Sequence, residues 1–141
     1  MNRNMVFAEW NRARESLRAA ETLTSDGLYA DAISRAYYAI LHGAKAALHV
    51  HDIAAESHAA VRRTFGLHLV KAGEIEPEWS AYLTASLDDR LAADYDVETS
   101  FSKEEARSEC RRSREFLDRI KRYLLKTGLT ETELRKRQRD R

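Results

Sequence analysis

The stretch YADAISRAYYAILHGAKAALHV (residues 29–50) decides the fold. At 100° per residue, its apolar side chains cover well over half of the helical circumference. A surface helix of a globular protein carries a narrower apolar stripe, so this pattern predicts a helix that is buried on several sides. Small residues recur along it and predict close approach of neighbouring helices; they are Ala36, Ala39, Gly43, Ala44, Ala46 and Ala47.

The polar side chains of this helix fall within a narrow arc. They are Asp31, Ser34, Arg35, Tyr38, His42, Lys45 and His49. Arg35 and His42 lie two turns apart on the arc, with Tyr38 between them. A guanidinium can stabilise a phosphate and an imidazole can carry a proton, a combination that suits metal-free RNA cleavage. The alternative interpretation is a solvated face with an Asp31–Arg35 ion pair.

Helical spacing continues on both sides of this segment. It predicts four further helices, at residues 4–25, 57–73, 77–95 and 102–126. Ser57 and Ser102 suit N-caps, and Pro77 suits a first helical turn. Alternating strand patterns are absent and the connections are short. The sequence therefore predicts an all-α, up-and-down antiparallel bundle of four to five helices.

The predicted domain comprises residues 1–126, and residues 127–141 form a basic C-terminal tail or short extra helix. Thr130 and Glu133 have capping-box spacing, but ELRKRQRDR (residues 133–141) has almost no apolar face, so we expect loose attachment or disorder. Residues 103–141 carry 14 basic and 8 acidic groups, whereas residues 1–102 carry 10 and 15. The basic part is interpreted either as a site that attracts a polyanion such as RNA or as a solvated face.

The composition of the 141 residues, 43% of them apolar, is that of one globular domain. A single cysteine, Cys110, excludes an intrachain disulfide and suits a reducing compartment. No apolar run reaches the roughly 18 residues of a spanning helix, and charges begin too early for a signal peptide. We expect a cytoplasmic protein without membrane attachment, cofactor or metal.

The other sequence features carry weak signals. There is no glycine-rich phosphate loop, no GxSxG elbow and no HExxH. His58 and His68, on the predicted helix at residues 57–73, are interpreted as surface or weakly bonded histidines. Cys110 lies on an apolar stripe and is interpreted as a packed side chain.

The stretch RLAADY (residues 90–95) ends the predicted helix at residues 77–95. Arg90 and Asp94 are four residues apart and flank the apolar stripe of this helix, so the spacing predicts that they pair with each other. Tyr95 continues the stripe itself. The nearby aspartates do not share one helix face, which argues against a metal site; they are Asp88, Asp89, Asp94 and Asp96.

Four segments together resemble the HEPN superfamily, most closely its small stand-alone prokaryotic proteins. They are SRAYYAILHGAKAAL (34–48), SHAAVRRTFGLHLVKAGEI (57–75), RLAADY (90–95) and FSKEEARSECRRSREFL (101–117). The resemblance implies a helical bundle that dimerises, with its functional groove near the dimer interface. It also implies a role in metal-independent ribonuclease chemistry, with an arginine followed after four to six residues by a histidine. Many relatives are encoded beside a nucleotidyltransferase, which in some pairs adenylylates a tyrosine just after that histidine.

Arg90 matches the signature arginine, whereas Asp94 stands about where the histidine is expected and Tyr95 follows it. By this resemblance Tyr95 is a candidate modification site. An aspartate that is ionised near pH 7 cannot act as the cationic acid that an imidazolium provides. A composite site is therefore predicted, with Arg90, Asp94 and His42 as candidate catalytic residues. The candidate binding residues are Arg35, Tyr38, Tyr95 and Lys45.

Three hypotheses remain. The first is a HEPN module with a degenerate nuclease motif, in a toxin–antitoxin or defence pair, that dimerises and binds RNA, a nucleotide or a nucleotidyltransferase partner. The second is an active metal-independent endoribonuclease that uses Arg90 with His42 or Asp94. The third is a purely structural interaction module in which Arg90 and Asp94 only fix the packing.

Overall fold

The computed structural model describes residues 1–136 as helices joined by short connections. The helices in this part of the chain are α1 (Arg3–Ser25), α2 (Tyr29–His49), α3 (His58–Phe65), α4 (Pro77–Tyr95), α5 (Lys103–Lys126) and α6 (Glu131–Arg135). Their bounds agree with the sequence prediction to within one or two residues for α1, α2, α4 and α5. The predicted all-α antiparallel bundle is confirmed.

Helix α2 is the centre of the bundle, as its apolar circumference predicts. It packs against α1, α4 and α5, and less extensively against α3. Tyr37, Ile40 and Leu48 on this helix are almost completely buried. Gly43 lies where α5 comes closest, since a Cβ there would stand 2.6 Å from Cδ2 of Leu117. Burying α2 on several sides leaves only its polar arc facing outward, and that arc therefore forms one wall of any site.

The helix boundaries follow from local side-chain chemistry. The Ser57 hydroxyl accepts a hydrogen bond from the backbone N–H of Ala60 at 3.0 Å, which fixes the start of α3. Ser102 and Glu105 form the capping box that opens α5. Pro77 occupies the first turn of α4, where its missing N–H has no cost. No helix within residues 1–136 combines the length and apolarity needed to cross a bilayer.

The predicted helix at residues 57–73 is not regular. After Phe65 the backbone widens into a π-helical turn at Gly66–Val70 and then ends. The turn keeps Leu69 buried in the core while Leu67 remains half exposed. Helical spacing cannot distinguish a π-turn from an α-turn, because one turn of either places a single apolar residue on the same face.

The expectation of a loosely attached tail is wrong for the part of the tail within residues 127–136. Leu129 and Leu134 are 3% and 2% exposed and belong to the main core. The predicted capping box at Thr130 and Glu133 is present. Arg14 on α1 also donates to the carbonyl oxygen of Leu134 at 2.7 Å. A single apolar residue with a cap and a cross-helix bond is sufficient to dock this short helix; residues 137–141 lie outside the described part of the chain.

Candidate functional site

Arg90 is held between helices α4 and α2. Its Nη2 donates to the Tyr38 hydroxyl on α2 at 2.8 Å. Its Nε lies 2.9 Å from Oδ2 of Asp94, one turn further along α4, which confirms the predicted pair as an ion pair. The Nε–H is buried without a well-aligned acceptor, so the pair is held by charge more than by hydrogen bonding. Only 11% of the Arg90 side chain is exposed.

Three aromatic rings surround the Arg90 guanidinium. Its central carbon lies 5.3 Å from the ring centre of Tyr38, 5.8 Å from that of Tyr37 and 5.9 Å from that of Tyr95. Burial lowers the pKa of Arg90, but the neighbouring Tyr38, Asp94 and Tyr95 oxygens outweigh it and leave that pKa raised. The cation is thus permanent and fixed in direction, which is the condition for recognising an anion without reorganisation.

A pocket of about 530 Å³ opens beside this arginine. Tyr38 and Asp94, the two residues bonded to Arg90, both line it, so Arg90 stands directly behind its wall. We call it the Tyr38 pocket; its lining residues are Leu23, Asp31, Ser34, Arg35, Tyr38 and Asp94. A second pocket of about 630 Å³ adjoins it and shares Leu23 and Arg35.

The polar side chains of α2 do not form one connected group. Within residues 1–136, Asp31 and Arg35 form no ion pair, and both line the Tyr38 pocket instead. His42 turns toward α1, where its Nδ1 lies 2.6 Å from Oε1 of Glu9. The Tyr38 and His42 rings are 6.4 Å apart, so Tyr38 stands between Arg90 and His42. The structure brings Arg90, Asp94, Tyr95 and Tyr38 into one contact network and attaches His42 to its edge.

A family model described as the HEPN domain matches residues 8–123, which span both walls of this pocket. The chain belongs to the HEPN family. The resemblance carried by RLAADY and the three other segments is thereby confirmed.

Three relatives of this HEPN chain illustrate the likeness. The candidate toxin MJ0605 of Methanocaldococcus jannaschii is 42% identical over 112 residues, which cover 79% of this chain and 83% of that protein. A second candidate toxin of the same organism, MJ0142, is 31% identical over 122 residues, with 86% and 83% covered. The UPF0332 protein PH1297 of Pyrococcus horikoshii is 45% identical over 76 residues, which are 54% of each chain.

Glu9 is a residue of this candidate site that the sequence did not point to. Its carboxylate bonds to His42, lies 3.5 Å from Nζ of Lys45 and stands 4.0 Å from Nε2 of His49. Burial raises the pKa of Glu9, but the bond to His42 and the Lys45 charge outweigh it, so that pKa is lowered. One signal was available, because Glu9 sits between Val6 and Ala13 on the buried face of α1, where a lone carboxylate needs a partner.

His58 is the second residue that was misjudged. Its Nδ1 lies 2.6 Å from the Tyr37 hydroxyl, and the two rings meet edge to face at 5.4 Å. The expectation of a surface or weakly bonded histidine is therefore wrong for His58. Burial raises the pKa of Tyr37 to about 12, so its hydroxyl keeps its proton near neutral pH. Nothing in the sequence indicated this bond, because the spacing of Tyr37 is that of a core residue of α2.

A second group, of one arginine and two carboxylates, lies where α4 meets α5 and lines neither of the two pockets. Arg112 donates to Glu109 at 2.7 Å and to Asp89 at 3.3 Å. The Glu109 carboxyl is almost fully buried, and its Oε2 has no hydrogen-bond partner within residues 1–136. Burial, assisted by the nearby Asp89 carboxylate, raises the pKa of Glu109 to about 8. Glu109 is therefore largely protonated at neutral pH, which relieves the excess of negative charge around Arg112.

Much of the basic surplus of α5 is neutralised on the HEPN bundle itself. The arginines Arg107, Arg112, Arg114 and Arg119 and the lysine Lys121 all form ion pairs with carboxylates. The basic part of the chain at residues 103–141 therefore carries less uncompensated positive charge than its residue count implies.

Proposed function

We propose that this HEPN protein acts as the toxin-like member of a two-protein system in the cytoplasm and binds RNA at the Tyr38 pocket. The observation that carries the proposal is Arg90, a permanent cation fixed behind the pocket wall by Tyr38 and Asp94. A phosphate entering the pocket would be attracted by a guanidinium that lies behind Tyr38 and Asp94 and whose position is already set. The toxin role is supported by the names of the relatives MJ0605 and MJ0142.

The arginines around the pocket favour a ligand with several phosphates, such as an RNA strand, over a ligand with a single phosphate. Arg35 lines both the Tyr38 pocket and the adjoining pocket, whose wall also includes Arg12 and Arg18. Arg12, Arg18 and Arg35 are exposed, and none forms an ion pair within residues 1–136. Successive arginines along a groove neutralise successive phosphates of a single strand and release their counterions. Such binding weakens as the salt concentration rises, because the release of counterions is then less favourable.

The position of Asp94 favours binding over cleavage by the signature motif. Its carboxylate is committed to Arg90 at 2.9 Å and so fixes the guanidinium. A carboxylate in an ion pair is an orienting group, whereas proton transfer at the signature position requires an imidazole. Asp94 is therefore assigned a positioning role.

Fluorescence anisotropy of a labelled single-stranded RNA in EDTA tests this proposal. We expect Arg35→Glu, an exposed change that leaves the core intact, to weaken binding at least 10-fold and to reduce the salt dependence. Arg107→Glu is the matched control, because Arg107 is also an exposed arginine but lies on α5 in a pair with Glu104. Equal losses for the two variants, or no binding by the unmodified protein at low salt, would refute RNA binding at this pocket.

A second candidate function, RNA cleavage with His42 as the base, is supported by the Glu9–His42 bond. A carboxylate that holds Nδ1 fixes the ring and directs Nε2 outward, as in catalytic histidines of hydrolases. The atom Nε2 of His42 has no partner within the described residues and is open to solvent. Cleavage in EDTA that is lost in both His42→Ala and Glu9→Gln would establish it, whereas unchanged cleavage in His42→Ala would exclude it.

Tyr95 is proposed as a modification site for a nucleotidyltransferase partner. With 71% of its surface exposed, its hydroxyl is accessible to another protein, and its ring lies over Arg90. A bulky anionic group on this hydroxyl would occupy the site of the RNA phosphate. Intact mass after co-production with the neighbouring gene product should show a nucleotidyl adduct that Tyr95→Phe abolishes; an unchanged mass in both proteins would argue against it.

Dimerisation is proposed through the same end of α4. Leu91, Tyr95 and Val97 are apolar or aromatic side chains that are 42%, 71% and 96% exposed there. Exposed apolar side chains that cluster near a site commonly mark an interface. Sedimentation equilibrium should give twice the chain mass for the unmodified protein and the monomer mass for a Leu91→Glu, Val97→Glu double variant.

A further inference from the structure

The lining of the Tyr38 pocket includes two carboxylates, although the pocket is proposed to attract phosphate. Asp94 is paired with Arg90 at 2.9 Å. Asp31 lines the same pocket, is exposed, and forms no ion pair within residues 1–136. A carboxylate without a cation repels the phosphates of a strand. A ligand that fits this pocket therefore has to bring hydrogen-bond donors to Asp31.

Arg35 lies one turn further along α2 and offers the opposite chemistry. It lines the Tyr38 pocket, is exposed, and forms no ion pair within the part of the chain that the structure describes. Opposite charges four residues apart on a helix commonly pair, whereas Asp31 and Arg35 both line the pocket without pairing. The pocket thus presents one carboxylate, which only accepts hydrogen bonds, and one guanidinium, which only donates them.

Guanine is the RNA base whose edges complement both groups. Its N1–H and its 2-amino group are adjacent donors, which suit the two oxygens of a carboxylate. Its O6 and N7 are adjacent acceptors, which suit the fork of a guanidinium. Adenine, cytosine and uracil each place an acceptor beside their donor, so a carboxylate bound to any of them meets one repulsive contact. The unpaired bases of a single strand expose these edges to a protein.

Tyr38 is placed to contact the phosphate of the same nucleotide. Its hydroxyl accepts a hydrogen bond from Nη2 of Arg90 at 2.8 Å and makes no other bond within the described residues, so its own proton is free to donate. Asp31 and Tyr38 are seven residues apart, which is two turns or roughly 10 Å along one face of α2. That separation is comparable to the span of one nucleotide from the edge of its base to its phosphate. Leu23, half-buried on α1, adds apolar lining for the flat face of the base.

We propose that the Tyr38 pocket selects a guanine base of single-stranded RNA, with Asp31 as the residue that sets the specificity. The inference rests on the proposed RNA binding and deepens it by naming the nucleotide. Asp31 accepts hydrogen bonds from N1–H and the 2-amino group, and Arg35 donates to O6 and N7. Tyr38 donates to the phosphate. Arg12 and Arg18 in the adjoining pocket meet the phosphates of neighbouring nucleotides.

A purely structural role of Asp31 predicts a different result. Asp31 lies in the first turn of α2, where a carboxylate is stabilised by the positive end of the helix. If this were its whole role, Asp31→Asn would tighten the binding of every RNA, because it removes a negative charge beside the arginines. The inference predicts weaker binding for RNA that contains guanine. The sign of the change therefore distinguishes the two roles.

Fluorescence anisotropy with labelled oligouridine strands tests the inference, one strand carrying a central guanosine, one a central adenosine and one neither. We expect the unmodified protein to bind the guanosine strand about 10-fold more tightly than the other two. Asp31→Asn should abolish this preference. Glu15→Gln is the matched control, because Glu15 is an exposed carboxylate that lines the adjoining pocket and not the Tyr38 pocket. It should tighten the binding of all three strands alike and keep the guanosine preference.

Modified bases identify which side chain meets which edge of the base. Inosine lacks the 2-amino donor, so it should bind about 10-fold more weakly than guanosine to the unmodified protein and equally well to Asp31→Asn. The base 7-deazaguanine lacks the N7 acceptor, so its loss of affinity should disappear in Arg35→Gln. These comparisons are made within one variant, and a general loss of affinity does not affect them.

GMP as a competitor distinguishes an RNA strand from a free nucleotide. We expect GMP to bind about 100-fold more weakly than the guanosine strand, because it lacks the neighbouring phosphates. Equal affinities would overturn the assignment to RNA. Equal binding of the three strands, or a guanosine preference that survives Asp31→Asn, refutes the inference and leaves RNA binding intact. Absence of binding by the unmodified protein at low salt refutes the proposed function as well.

Discussion

Helix α4 takes part in two groups of arginine and carboxylate that differ in what surrounds them. Arg90 has one carboxylate, Asp94, together with three aromatic rings and an open pocket. Arg112, which reaches α4 from α5, meets the two carboxylates Asp89 and Glu109 and lines neither of the two pockets. Both groups therefore pair an arginine with carboxylates, but Arg90 has one carboxylate partner whereas Arg112 has two.

This difference teaches where a free cation remains. At Arg112 the carboxylates are in excess, so Glu109 retains a proton and no positive charge is left to attract a ligand. Within residues 1–136, Asp94 is the one carboxylate paired with Arg90, and Arg62 adds positive charge nearby. The Arg90 group is consequently suited to bind an anion, whereas the Arg112 group is suited to join two helices.

The largest expected effect concerns the pH dependence of stability at Glu109. Its pKa is about 8 in the folded chain and near 4.3 in the unfolded one, so the folded chain binds more protons between these values. Its contribution is therefore full below about pH 4 and is lost as pH rises toward about 8. Urea unfolding should show that Glu109→Gln gains on the order of 2–4 kcal/mol relative to the unmodified protein between pH 5 and pH 8. Asp118→Asn, an exposed change on the same helix, should show no such gain.

Replacing each arginine by lysine should separate the two groups by ligand affinity. Arg90→Lys loses the planar fork that meets Tyr38 and Asp94, and we expect about 10-fold weaker RNA binding. Arg112→Lys should change RNA binding less than about 2-fold, since that group lines neither the Tyr38 pocket nor the adjoining pocket. Anisotropy measured at one salt concentration compares them, and a larger effect at Arg112 would reverse our assignment.

Removal of the Tyr38 hydroxyl should have a smaller effect. Tyr38→Phe keeps the ring over the guanidinium but leaves Nη2 of Arg90 without this acceptor. We expect a loss of about 1 kcal/mol in the free energy of unfolding. Tyr82→Phe serves as control, because the Tyr82 hydroxyl bonds to exposed Glu115 and its removal should cost less.

The smallest effect is expected at Tyr95. Tyr95→Ala removes one exposed ring near Arg90, and the free energy of unfolding should fall by no more than about 0.5 kcal/mol. Chemical denaturation at neutral pH provides the measurement. A loss above about 2 kcal/mol would mean that Tyr95 is packed more firmly than its exposure indicates.

The fold was largely predictable because the deciding signals are local. The apolar circumference of α2, the cap at Ser102 and Pro77 each act within a turn or two of the helix they define. The Arg90–Asp94 pair was predictable for the same reason, since i,i+4 spacing places both side chains on one face. The π-helical turn after Phe65 was not predicted, because it leaves the spacing of apolar residues almost unchanged.

The partners that complete the site were not predictable, because they come from distant parts of the chain. Glu9 and His42 are 33 positions apart, and Tyr37 and His58 are 21 apart. Which residues meet across a bundle depends on the rotation of each helix about its axis, and spacing within one helix does not determine that rotation. Docking of the segment after Lys126 was missed similarly, since it depends on Leu134 reaching a core built by other helices.

The close contact between Gly43 and Leu117 can be used to make a temperature-sensitive variant of this protein. A methyl group at Gly43 would press on a buried but flexible side-chain end, and we expect Gly43→Ala to cost about 1–3 kcal/mol. That is enough to lower the melting temperature by several degrees without preventing folding in the cold. The substitution would thus create a conditional allele, silent at high growth temperature and functional at low temperature. Under the proposed toxin-like function, such an allele would let cultures reach density before cooling releases the activity.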